Sequence, residues 1–202
     1  MPVRLDMQFA LYFVIGYAVL YAVVWLHEIG HAVWYRKYRL KRDWWNVQVK
    51  PYLFFSTPGA PDETVWNTLQ PIQYVLLAYG GIIANAVFAL VSGALIFAFG
   101  SVNVYLQTAL WLFMTLHIGE MVSYLFVGSV FLAGDMELVN RYMPGLRVPN
   151  LVLGTALSVL YAYVLTIVPQ DSKIFVIVFN SITVMAMCLG RVISAKRKTQ
   201  SR

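Results

Sequence analysis

The stretch FALYFVIGYAVLYAVVWLHEIGHAVWYR, residues 9–36, decides the architecture. From Phe9 to Leu26 it holds no charged residue and no proline. As a helix, that length is close to the roughly 20 residues needed to cross bilayer hydrocarbon. It exceeds an ordinary signal-peptide core and runs into His27-Glu28 with no small-residue cleavage site, so it predicts a retained span from about residue 7 to 34. His27, Glu28 and His31 then occur before the helix reaches Arg36. Ionisable groups inside a membrane span are costly and mark function by default.

The rest of the chain agrees. Of 202 residues, 60% are hydrophobic and 12% charged, against about 45–50% and about 25% in soluble domains. No Asp, Glu, Lys or Arg occurs from Thr64 to Gly119, from Val148 to Gln170, or from Ile174 to Gly190. These gaps predict further spans over about 71–99, 104–133, 151–168 and 174–193, with a turn at Gly100-Ser101 and Pro169 closing the fourth. The expected fold class is an all-α polytopic membrane protein with about five transmembrane helices, forming one domain over residues 1–202. At about 1.5 Å per residue the third span would reach about 45 Å. It must tilt, project or break, and Gly119 and Gly128 are the weak points. The single cysteine, Cys188, sits in an apolar run and reads as a packing residue.

The net charge of +6 reflects lipid headgroups and orientation, with no role for nucleic acid. Arg36, Lys37, Arg39, Lys41, Arg42 and Lys50 follow the first span, Arg141 and Arg147 the third, and Arg191, Lys196, Arg197, Lys198 and Arg202 the last. A five-span count puts all of them on one side. That side is expected to be cytoplasmic, with the N-terminus outside, the C-terminus in the cytoplasm and the chain in the plasma membrane. Trp34, Tyr35, Tyr38, Trp44 and Trp45 fit an aromatic belt at that interface. Between Asn46 and Ser56, Val47 and Val49 alternate with polar neighbours, which predicts a short extended strand on the cytoplasmic side. Pro51 confines it to an edge or a break, and Pro58, Gly59 and Pro61 predict a loop after it.

His27 and His31 lie at i and i+4, so both imidazoles share one helix face and can reach one zinc ion. Glu28 is placed to act on the metal's water as general base. At helical rise the two histidines lie about 8–14 Å inside the cytoplasmic edge marked by Arg36. Catalytic zinc usually takes three protein ligands. Asp135, at the cytoplasmic end of the third span, matches His31 in depth, while Glu120 and His117 are deeper rivals on one helix face. Gly80, Gly81, Ala84 and Asn85 in the second span would let helices approach closely and supply an amide.

In these landmarks the chain resembles the site-2 protease family of intramembrane zinc metalloproteases. The shared features are the His-Glu-x-x-His helix at 27–31, a Gly-x-x-x-Asn element at 81–85 and an Asp at 135, over roughly residues 10–140. The resemblance implies zinc held by His27, His31 and Asp135, Glu28 as base, and Asn85 supporting substrate or transition state. It implies that residues 46–58 resemble a membrane-associated strand that pairs with unwound substrate. The substrate would be a transmembrane helix of another membrane protein, cut near the cytoplasmic face. Around the third landmark the pattern departs: Gly134 precedes Asp135, Met136 follows it, and no proline stands close before it. Two other classes remain: a transporter using the histidines as an ion site, and a non-proteolytic membrane scaffold. A transporter would spread polar groups through the bilayer or show inverted repeats, whereas here they cluster toward one side.

Overall fold

Long apolar segments must satisfy their backbone polar groups internally, so in lipid they fold as helices. The computed structural model, which describes residues 2–51, 53, 56–99 and 103–200, contains five helices long and apolar enough to cross a membrane. They are α1 (Pro2–Lys37), α3 (Pro71–Phe99), α4 (Val104–Val122), α7 (Arg147–Thr166) and α8 (Gln170–Gln200). Shorter pieces complete the set: α2 (Glu63–Trp66), α5 (Ser129–Phe131) and α6 (Asp135–Tyr142). The expected turn at Gly100-Ser101 lies outside the described residues.

Helix α4 is the core element. Two thirds (67%) of its most apolar window is buried, against 11–22% for the other four spans. It packs against α1, α3, α7 and α8. The remaining helices present side chains such as Phe97 (96% exposed) outward, as a lipid-facing surface demands. Small residues bring α1 and α3 close together. A Cβ on Gly80 would lie 2.6 Å from the Gly30 carbonyl oxygen, so only glycine lets these backbones meet.

The over-long third span is resolved by a break. After Val122 the chain makes a π-helical turn, Ser123–Gly128, then α5, and leaves the bundle through Leu132 in the left-handed region. Gly128 belongs to this break. Gly119 does not: it stays α-helical, and a Cβ there would strike Val184 of α8. Arg147 donates from Nε to the Ser129 carbonyl (3.0 Å) and from Nη2 to the Val130 carbonyl (3.1 Å), satisfying the orphan acceptors of the truncated helix. Helix α7 begins at Arg147, four residues earlier than expected, because Pro149 is tolerated in a first turn.

The expected strand over Asn46–Ser56 is corrected to a single antiparallel bridge. Gln48 and Thr57 exchange both backbone hydrogen bonds (2.9 and 3.1 Å), and among the described residues no longer ladder forms. Pro51 has no N–H to donate, and a turn closes there when Leu53 N–H donates to the Lys50 carbonyl. The hairpin's far end reaches back along α1, where the Tyr17 hydroxyl donates to the Pro51 carbonyl at 2.8 Å. Tyr17 is about 15 Å further along the helix than His27, so Pro51 meets α1 well toward its N-terminal half. Lys41, whose amine donates to the Pro58 and Asn46 carbonyls, ties the hairpin's base together. Burial pushes its ammonium below the ordinary lysine range. Asp62 caps α2 by accepting from the Thr64 and Val65 N–H groups. At the same end of the bundle Tyr74 stacks on Tyr142 of α6 (4.0 Å between centroids) and meets Trp66 edge-on.

Candidate metal centre

Helical spacing does what was expected of His27 and His31. Both project from α1 into the bundle, 1% and 6% exposed, with their Nε2 atoms 3.0 Å apart. His31 Nδ1 donates to the Leu77 carbonyl at 2.7 Å. A carbonyl can only accept, so this bond fixes the tautomer and leaves the His31 Nε2 lone pair free. Helix α6 supplies the third group. Gly134, at φ 59° and ψ −138°, takes a backbone conformation suited to glycine and turns the chain so that Asp135 opens α6 facing α1. Asp135 Oδ2 then lies 3.3 Å from His31 Nε2 and 3.6 Å from His27 Nε2.

His31 Nε2 offers its lone pair to a proton or a cation, and His27 Nε2 stands 3.0 Å from it. Zinc bonds of about 2.0–2.1 Å in tetrahedral array put ligand atoms about 3.3–3.4 Å apart. The three separations, 3.0, 3.3 and 3.6 Å, bracket that value. Asp135 Oδ2 is buried and makes no hydrogen bond, which is the state of an atom awaiting a metal partner. The donor set therefore fits zinc. Glu28, 6% exposed, sits among His27, His31, Asp135 and Glu120.

The two rivals for third ligand form a separate, inner layer. His117 Nδ1 bonds Asn85 Oδ1 (2.9 Å), and Asn85 Nδ2 bonds Glu120 Oε2 (3.2 Å) and meets His27 Nδ1 (3.1 Å). Glu120 Oε2 stands 3.9 Å from His27 Nδ1, on the ring edge away from His31 and Asp135. Asn85 is fully buried and joins all three groups. A Cβ on Gly81 would run into the His27 ring, so Gly81 and Asn85 together form the wall behind that imidazole.

Two contacts escaped sequence reading. The Tyr124 ring stacks on His27, with centroids 4.7 Å apart and planes 11° from parallel. The guanidinium of Arg191 lies 3.3 Å from the centre of Tyr124. Tyr124 carried a spacing signal, since it lies four residues after Glu120 and so on the same helix face. Arg191 lies at the very end of the expected 174–193 span, where it reads as one of the flanking basic residues.

The sequence matches the family model described as Peptidase family M50 over residues 15–201, nearly the whole chain. Comparison with curated proteins and with solved structures returned no match. The extent of the family match, on a five-span bundle that gathers His27, His31 and Asp135, shows that this multi-pass membrane protein belongs to peptidase family M50, the metallopeptidases of the site-2 protease family.

Proposed function

We propose that the chain, acting as one domain over residues 1–202, is a zinc-dependent endopeptidase that cuts transmembrane helices of other membrane proteins near the cytoplasmic face. The observation that carries this reading is the convergence of two imidazole nitrogens and one unbonded carboxylate oxygen at separations suited to a single ion, with Glu28 beside them. His27, His31 and Asp135 would hold zinc, which supplies a Lewis acid for water and the scissile carbonyl. Glu28 takes the proton from the attacking water and delivers it to the leaving amine. Asn85 has no exposure and its amide is engaged by three side chains, so its support of the transition state runs through the orientation of His27. A helical substrate must unwind before its carbonyls are accessible. The backbone beside the Gln48–Thr57 bridge, tied to α1 through Tyr17 and Pro51, offers groups to which an unwound segment can add as a strand.

The test is reconstitution in liposomes. Purified chain is expected to carry one zinc per molecule and to cut a model transmembrane helix. A chelator abolishes cleavage and added zinc restores it. A chain that holds zinc and cuts no peptide bond, but moves ions across the bilayer, would overturn the protease reading.

The orientation follows from charge. We place the N-terminus outside, the C-terminus in the cytoplasm and the chain in the plasma membrane, because the basic flanks of α1, α4–α5 and α8 share one end. Reporter fusions at the C-terminus and near Gly100 are expected to give opposite signals. Matching signals would defeat this topology.

A further inference from the structure

Helix α8 carries none of the motifs that define the centre, yet one of its side chains reaches it. We propose that Arg191 is a positioning residue of the metal centre, a clamp that fixes the His27 ring and the approach of Asp135 from behind. The clamp has three points. The guanidinium lies 3.3 Å from the centre of the Tyr124 ring. Its Nε donates to Ser123 Oγ at 3.1 Å, and Ser123 in turn donates to the Glu120 carbonyl at 2.9 Å. Its Nη1 lies 3.0 Å from where a Gly134 Cβ would be, and Tyr124 Cε1 lies 3.2 Å from the same point.

Two of the three contacts lead to a proposed ligand. Tyr124 stacks on His27. Gly134 directly precedes Asp135 in a backbone conformation that positions α6. A π-helical turn is rare and is frequently found at functional sites. Here it begins at Ser123, and Arg191 grips its first two residues. A planar guanidinium can stack on a ring and donate from its edge at once, whereas a lysine ammonium cannot. The acidic groups facing it are Glu120 and Asp135, so its charge also offsets the carboxylates gathered beside the zinc ligands.

This inference rests on the zinc reading, and its test separates the two. Zinc affinity of the full chain in detergent is measured by competition with a chromophoric chelator. The visible spectrum of the cobalt(II)-substituted protein reports ligand geometry. Arg191→Lys keeps the charge and loses the stack and the fork; it is expected to weaken zinc binding by about 10–100-fold, the usual effect of removing a group that orients a ligand, and to shift the cobalt spectrum. Tyr124→Leu is expected to do the same. Asn180→Ala is the control. Asn180 is buried on α8 and bonded to Tyr161, so its loss lowers the unfolding temperature without touching zinc affinity or the cobalt spectrum. Arg191→Lys binding zinc with wild-type affinity and spectrum would overturn the clamp. Wild-type protein that binds no zinc would instead overturn the metal reading beneath it.

Discussion

Glu28→Gln is expected to leave one zinc bound per chain and the fold intact, and to remove cleavage almost entirely. Glutamine matches glutamate in size and keeps its hydrogen-bonding reach, so the packing around a 6%-exposed position is undisturbed. What it loses is the ability to take a proton. General base catalysis contributes typically about 10²–10⁴-fold, which is about 2.7–5.4 kcal/mol at about 1.36 kcal/mol per decade. Metal content separates this variant from ligand variants. His31→Ala removes a nitrogen whose partner bond to the Leu77 carbonyl fixes it toward the cluster, so it loses zinc and activity together. A Glu28→Gln protein that cuts a membrane substrate at the wild-type rate would show that another group moves the proton. An ion-transport role would instead show altered flux in this variant and no cut peptide in any variant.

The bundle was legible because lipid imposes a simple rule: long charge-free segments must be helices. The five spans follow from that rule, and the basic residues at their ends predict which ends lie together. The pair His27 and His31 was legible for a geometric reason, since i and i+4 share a helix face whatever the surroundings. Less visible were features that depend on tertiary contact. Residues 46–56 read as a strand because Val47 and Val49 alternate with polar neighbours, but strand length is set by pairing, and only Gln48 and Thr57 find one another. Gly119 and Gly128 look alike in sequence. One accommodates Val184 from α8, the other ends the π-helical turn, and only the packing distinguishes them. Helix α6 was missed because eight residues with two buried apolar positions, Met136 and Val139, are too few to show a period. Tyr124 shares the face of Glu120 by its i+4 spacing, but its stacking on His27 depends on how α4 packs against α1.

The sharpest test of the site concerns its third ligand, a carboxylate oxygen, where Asp135 and Glu120 compete. The His27 ring decides between them. Its Nε2 faces His31 Nε2 and Asp135 Oδ2, and its Nδ1 faces Asn85 and Glu120. An ion on the Nδ1 side would gain Glu120 and forfeit His31, whose free nitrogen points at the opposite edge of the ring. An ion on the Nε2 side keeps both histidines and Asp135. Asp135→Ala is therefore expected to lose zinc outright at concentrations that saturate the wild type, an effect larger than the roughly 10–100-fold cost of disturbing an orienting group, and to lose cleavage with it. Glu120→Ala has a different signature. It strips the Asn85 amide of a buried acceptor, which costs about 1–3 kcal/mol of stability, yet zinc remains at one per chain. Asp135→Asn sharpens the comparison, because it preserves size at the opening of α6 and replaces the anionic oxygen by a neutral one, so metal loss without unfolding would trace to the ligand itself. Zinc lost from Glu120→Ala and retained by Asp135→Ala would move the ion to the inner layer of Asn85 and His117, and with it the water that Glu28 is proposed to activate.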